Sequence, residues 1–174
     1  IWQADSGKEL HSFQVVSKGW TYHAVFKPGV GRIAVGAHDG LLEMWDVPAG
    51  KKRTDFSGHN RAVNTLQFNR QGNRLLSAAI DKTARLWNAD SGALIRAFGG
   101  PQFDSAAFSP DEKIMISGND NGRAIIWEIS SGKQLMVIKH SSGDRVRSAA
   151  FSPDGKKVVT AGEDGVAKIW EVRF

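Results

Sequence analysis

Short apolar stretches separated by turn residues run the length of this chain, and the pattern is plainest near the C-terminus. Val146 to Phe151 forms one run, and Ser152-Pro153-Asp154-Gly155 follows as a turn, Pro presetting φ and Gly allowing it to be positive. Val158-Val159-Thr160-Ala161 is a second run, Asp164-Gly165 carries a tight hairpin signal, and Val166 to Val172 is a third. The stretch Leu94 to Phe98, entered through Asp90-Ser91-Gly92, supplies a fourth kind of run. No window keeps a helical period over the ten or so residues that a helix needs, so the chain reads as all-β.

The pattern also repeats. Trp2, Trp45, Trp87, Trp127 and Trp170 lie 43, 42, 40 and 43 residues apart. Phe26, Phe68, Phe108 and Phe151 keep the same beat, as do Gly7, Gly50, Gly92 and Gly132. Such a period marks a repeat array of about four copies, each built of four strands joined by short turns.

A four-stranded unit of about 42 residues resembles one blade of a WD-repeat β-propeller. The likeness covers nearly the whole chain. It is most specific in the second copy, where Gly58-His59 precedes Trp87 by 28 residues, Asp81 precedes it by six, and Ser77 stands four before Asp81. In that family such a His, Ser, Asp and Trp form a buried hydrogen-bonded network that locks a blade. The chemistry suits burial, because a neutral His both donates and accepts and an indole N–H needs an acceptor. The fourth copy keeps Thr160, Asp164 and Trp170, with His140 two residues further upstream. Ser141-Ser142 reads there as an insertion, and the spacing leaves open whether His140 joins the network. The third keeps Ser117, Asn121 and Trp127 but has Gly99 at the His position. The first keeps Asp39 and Trp45, with Val35 and Ser17 at the Ser and His positions. Blades of unequal stability are the expectation.

The resemblance divides the chain into the end of a preceding blade (1–13), three blades (14–56, 57–98 and 99–138) and a last blade lacking its outer strand (139–174). The expected fold is an incomplete propeller of four-stranded antiparallel blades, part of a ring that closes with about seven. Missing blades of the same chain, or a second copy, would complete it.

Composition narrows the function classes. Without cysteine there are no disulfides and no thiolate metal sites, and a cytoplasmic location is expected. No run approaches the ~18 apolar residues of a membrane span. The net charge of +5 sits mostly in residues 57–98, with six basic side chains (Arg61, Arg70, Arg74, Lys82, Arg85 and Arg96) against two acidic ones. Their scatter over strands and turns favours surface solvation over a phosphate or acidic-partner footprint. No basic patch interleaved with aromatic residues supports nucleic-acid binding.

Several constellations have a duller reading that outweighs the sharper one. His59, Ser77 and Asp81 are the residue types of a nucleophilic triad, but their place beside Trp87 favours a structural network. Asp39, Asp81, Asn121 and Asp164 could be imagined as a calcium ring, yet each sits in its own hairpin turn. The five histidines lack metal-ligand spacing, so no metal or cofactor is expected.

The segment Lys18-Gly19-Trp20-Thr21-Tyr22-His23 holds the one Trp out of step with the repeat and the only Tyr. In WD-repeat proteins the loop entering a blade and the residue before the hairpin Asp lie on the top rim, where peptides bind. By position the rim carries Trp20, Ala62, Gln102 and Arg145 on the entering loops, and His38, Ile80, Asp120 and Glu163 at the hairpins. The candidate partner-binding residues are Trp20, Tyr22, His38, Asp120, Arg145, Arg147 and Glu163. Trp and Arg dominate interface energies. The competing readings are that Trp20 caps a weak blade and that Arg145 and Arg147 belong to a solvated loop.

The expected function is therefore non-enzymatic: a scaffold for a protein or peptide partner, one module of a larger protein. The alternative is a regulatory or sensor domain of a multidomain enzyme such as a kinase, protease or nucleotide-binding protein.

Overall fold

The Trp-centred runs fold as strands in four antiparallel sheets. The computed structural model describes residues 1–12, 14–15 and 17–174. The expected boundary at residue 13 falls on Phe13, outside the described residues. The first sheet is β1 (Thr21–Phe26), β2 (Arg32–Ala37), β3 (Leu42–Asp46) and β4 (Lys51–Asp55). The second is β5 (Val63–Phe68), β6 (Arg74–Ala79), β7 (Thr83–Asn88) and β8 (Leu94–Gly99). The third is β9 (Phe103–Phe108), β10 (Ile114–Asn119), β11 (Arg123–Glu128) and β12 (Gln134–Lys139). The fourth has three strands, β13 (Val146–Phe151), β14 (Lys157–Gly162) and β15 (Ala167–Glu171). In every sheet the strands pair in chain order, as a meander of hairpins. At the N-terminus Trp2 and Glu9 bridge antiparallel, and the Gln3 N–H donates to the Lys8 carbonyl at 2.8 Å.

The sheets stack face to face in chain order, with β1, β5, β9 and β13 side by side, and the ring they begin is open. Burial follows from this stacking. β6 and β10, covered on both faces, are buried along nearly their whole length, including the polar Ser77, Ser117 and Asn119. β14 and β15, covered on one face, alternate between buried or half-buried and exposed residues. The outer strands β4, β8 and β12 are largely solvated, as is β1 on the open face of the first sheet.

The core is a set of layers between sheets. Met44, Phe56, Leu66, Leu75 and Trp87 fill the first interval, Leu86, Phe98, Phe103, Met115 and Trp127 the second, and Ile116, Ile126, Ile138 and Val158 the third. Polar groups stitch the same seams. Along β5 the Asn64 Nδ2 and Thr65 Oγ1 donate to the carbonyls of Phe103 and Asp104 (3.2 and 3.1 Å), and Gln67 Oε1 accepts from the Phe108 N–H at 2.8 Å. Arg96 donates to the Ser130 and Ser131 carbonyls at 2.7 and 3.1 Å.

Each inner strand carries one extra residue where its pairing register slips: Tyr22, Asn64, Asp104 and Arg147. A bulge of this kind bends the strand and re-aims the side chain. All four bulges sit at the end of the sheet where the entering loops and the β2–β3, β6–β7, β10–β11 and β14–β15 hairpins meet. That end is the top rim.

Candidate functional site

Beneath the rim, the second sheet holds the expected network in full. The Trp87 indole N–H donates to Ser77 Oγ at 2.8 Å, Ser77 Oγ meets His59 Nε2 at 2.7 Å, and His59 Nδ1 meets Asp81 Oδ2 at 2.8 Å. Ser77 accepts from the indole, so its own hydrogen goes to His59 Nε2, and the Nδ1–H is left to donate to Asp81. Burial pushes the His59 pKa down, over the opposing pull of Asp81. The contact is therefore a hydrogen bond from a neutral ring and not an ion pair. Burial pushes Asp81 upward, but hydrogen bonds from Thr83 and His59 outweigh it and hold the carboxyl below the usual carboxylate range. The Ser77 hydroxyl is wholly buried, so these three residues lock strands together and do not face a substrate.

The other sheets solve the same problem differently. In the fourth, His140 joins the network despite the insertion: Nδ1 meets Thr160 Oγ1 at 2.7 Å, Nε2 meets Asp164 Oδ1 at 3.1 Å, and Trp170 donates to Thr160 at 2.8 Å. Its ring nitrogens exchange the roles they have in His59. In the third, Trp127 donates to Ser117 at 3.0 Å. There Phe103 packs on Trp127 at 6.0 Å between centroids, much as His59 packs on Trp87 at 5.9 Å. In the first, Val35 offers no hydroxyl, and the Trp45 indole donates to Glu43 Oε2 at 3.0 Å. Ser17 Oγ donates to Asp39 Oδ1 at 3.0 Å, standing in for the imidazole.

The rim positions pair in all four sheets through the main chain. The N–H groups of His38, Ile80, Asp120 and Glu163 donate to the carbonyls of Trp20, Ala62, Gln102 and Arg145 at 2.8, 3.0, 3.1 and 2.9 Å. On the first sheet, Trp20 is 76% and Tyr22 47% exposed. Tyr22 stacks on His38 at 6.0 Å, and Trp20 meets the same ring edgewise at 6.3 Å. These three predicted residues thus form one exposed aromatic cluster.

Arg145 and Arg147 reach back to the third sheet. Arg145 Nε lies 3.3 Å from Asp104 Oδ2 and its Nη2 donates to Gln102 Oε1 at 3.3 Å, while Arg147 Nη1 reaches Asp104 Oδ1 at 3.4 Å and Nη2 pairs with Glu163. Asp104 is buried, and burial raises its pKa; both arginines pull it down, whereas Asp120 and Glu163 push it further up. Asp104 was not foreseen from the sequence, because an inner-strand bulge becomes visible only once the strands are paired.

Among the described residues, two other than glycine adopt the left-handed conformation: Lys82 (φ 68°) and Glu112 (φ 58°). Each stands where sister repeats have glycine, Gly40, Gly122 and Gly165 in the one case, Gly72 and Gly155 in the other. Such a backbone costs about 1 kcal/mol or more in a non-glycine residue. Glu112 has an internal reason, since its carboxylate accepts from Asn69 Nδ2 and the Arg70 N–H of the neighbouring sheet at 2.9 and 2.8 Å. The Lys82 side chain is exposed and forms no ion pair among the described residues.

Short antiparallel meanders stacked in a curving row, with tryptophans locking the third strand to the second, define the class as a β-propeller. The family model described as "WD domain, G-beta repeat" matches residues 50–88, 93–128 and 132–171. The chain belongs to the WD-repeat family. Each match runs from the fourth strand of one sheet through the third strand of the next, so the sequence repeat and the sheet are out of phase by one strand. Among relatives, the chain is 26% identical over 113 residues to autophagy-related protein 16 of Arabidopsis thaliana, covering 62% of this chain and 22% of that one. It is 31% identical over 106 residues to human apoptotic protease-activating factor 1 (60% and 8%), and 29% over 133 residues to human pre-mRNA-processing factor 17 (72% and 23%). The chain thus spans less than a quarter of each of these relatives.

Proposed function

We propose that this chain is a non-catalytic docking platform for a protein or peptide, with the top rim as its binding face. One observation carries the reading. Main-chain hydrogen bonds fix the rim pair in every sheet, and on that rigid base the first sheet presents Trp20, Tyr22 and His38 to solvent. A large aromatic side chain held out by a stiff scaffold forfeits little freedom on binding, which is what an interface anchor requires. WD repeats in relatives of varied name support a general recognition role over a particular chemistry. Because the chain matches a small share of each relative, it acts as one module of a larger assembly or polypeptide.

The test is affinity capture from native lysate with nuclease treatment, using the wild-type chain beside Trp20→Ala. A protein retained by the first and lost by the second supports the platform. Identical capture by both, with equal unfolding midpoints, refutes the placement of the site at Trp20.

A further inference from the structure

The unpaired cations on one half of the rim indicate what docks there. On the third and fourth sheets the charges are mixed: Asp104, Asp120, Asp144 and Glu163 stand beside Arg123, Lys139, Arg145 and Arg147, and the last two are engaged by Asp104 and Glu163. On the first and second sheets stand Lys18, Arg61 and Lys82, all exposed and none ion-paired among the described residues. The nearby carboxylates of Asp39 and Asp81 are turned to internal donors, Asp39 to Ser17 and the N–H groups of Lys18 and Leu41, Asp81 to His59, Asn60 and Thr83.

These cations adjoin the aromatic cluster. A Cβ built on Gly40 would fall 2.5 Å from the His59 carbonyl oxygen, so the hairpin carrying His38 lies directly against the loop that bears Arg61. The Ile80 N–H to Ala62 carbonyl bond sets Arg61 beside the turn that bears Lys82. Lys82 also keeps a conformation that glycine would hold without strain, and its ammonium group has no ion pair or hydrogen bond among the described residues. Strain retained without internal compensation is the mark of a residue kept for an external contact.

We infer that the first and second sheets' half of the rim docks an acidic peptide segment bearing an aromatic or large apolar side chain. This rests on the platform reading and names the partner's chemistry. The apolar side chain packs on Trp20 and Tyr22, and the flanking carboxylates meet Lys18, Arg61 and Lys82.

The experiment is selection of a random peptide display library on the chain, with counter-selection on the Arg61→Glu, Lys82→Glu variant. The enriched pool is expected to be acidic with one aromatic or large apolar residue, and its binding to weaken as salt rises. The best selected peptide should bind Lys82→Gly about tenfold more weakly, although that variant unfolds at a higher denaturant concentration because its strain is gone. It should not bind Trp20→Ala. A basic or neutral pool, no enrichment, unchanged affinity for Lys82→Gly, or displacement of the peptide by polyuridine would each overturn the inference. If lysate capture still depends on Trp20 while the pool is not acidic, the platform stands and only its chemistry falls.

Discussion

Replacing Ser77 with Ala tests whether the tryptophan lock behaves as one coupled unit. The hydroxyl is both acceptor for the Trp87 indole at 2.8 Å and donor to His59 Nε2 at 2.7 Å. Its loss strands two buried groups, each costing about 1–3 kcal/mol, so the change should destabilise the chain by about 2–6 kcal/mol. The third sheet supplies an internal control. Ser117 accepts from Trp127 at 3.0 Å and has no imidazole to serve, its own hydrogen pointing to the Ile125 carbonyl at 3.4 Å. Ser117→Ala should therefore cost about 1–3 kcal/mol, roughly half as much. Urea unfolding followed by tryptophan fluorescence and circular dichroism reads both values from midpoints and slopes. The decisive arm is a cycle. In a His59→Leu background, Ser77→Ala should fall to the cost of Ser117→Ala, because the imidazole that depended on the hydroxyl is gone. Equal losses for Ser77→Ala and Ser117→Ala, or full additivity with His59→Leu, would refute the coupling.

Glu112 separates strain from contact. Glu112→Ala should destabilise by about 1–2 kcal/mol, losing the bonds to Asn69 and Arg70 while keeping the left-handed backbone, and Glu112→Gly should be nearly neutral; equal urea midpoints for the two would disprove the strain. Asn119 is buried with neither carboxamide atom partnered among the described residues, at a position where sister repeats have Ala37 and Ala79. Asn119→Ala should stabilise the chain by about 1 kcal/mol, and a lowered midpoint would show that the carboxamide is satisfied after all. The pKa values of His59 and His23 are depressed by burial, so the unfolded chain binds more protons as pH falls into and below the usual imidazole range of about 6.5. Stability should hold above that pH and fall as pH drops below it, with His59→Leu showing a shallower slope; a midpoint constant from neutral to mildly acidic pH would contradict this.

The blade architecture was legible because its signals are local and repeated. Trp spacing, Asp-Gly hairpins and short apolar runs each determine a short piece of backbone, and stacking leaves little else undecided. The positions of the rim residues could be named from the sequence by their offset from the hairpin, whereas the main-chain bonds that pair them show only in the folded sheets. Other features depend on neighbours distant in sequence. The engagement of Arg145 and Arg147 by Asp104 arises from a bulge in one sheet facing a loop of the next. Glu43 as the acceptor for Trp45 shows only when cross-strand partners are known. Arg61 and Lys82 read as scattered along the chain, since a turn and a loop twenty-one residues apart share one edge only after the sheet forms. Lys82 and Glu112 were within reach of sequence reasoning, because aligning the repeats shows each in a glycine's place.

The reversed ring of His140 has a bearing on how such a rim can change. Imidazole offers two nitrogens on opposite sides, and either can carry the proton. A loop lengthened by Ser141-Ser142 brings the ring in from a different angle, yet the relay of donors from Trp170 through Thr160 to Asp164 keeps its direction. A hydroxyl or carboxamide has no such symmetry to exploit. Histidine thus acts as a tolerant joint between a variable loop and an invariant lock, and sequence drift or deliberate grafting at that loop can proceed without unfastening the strands below.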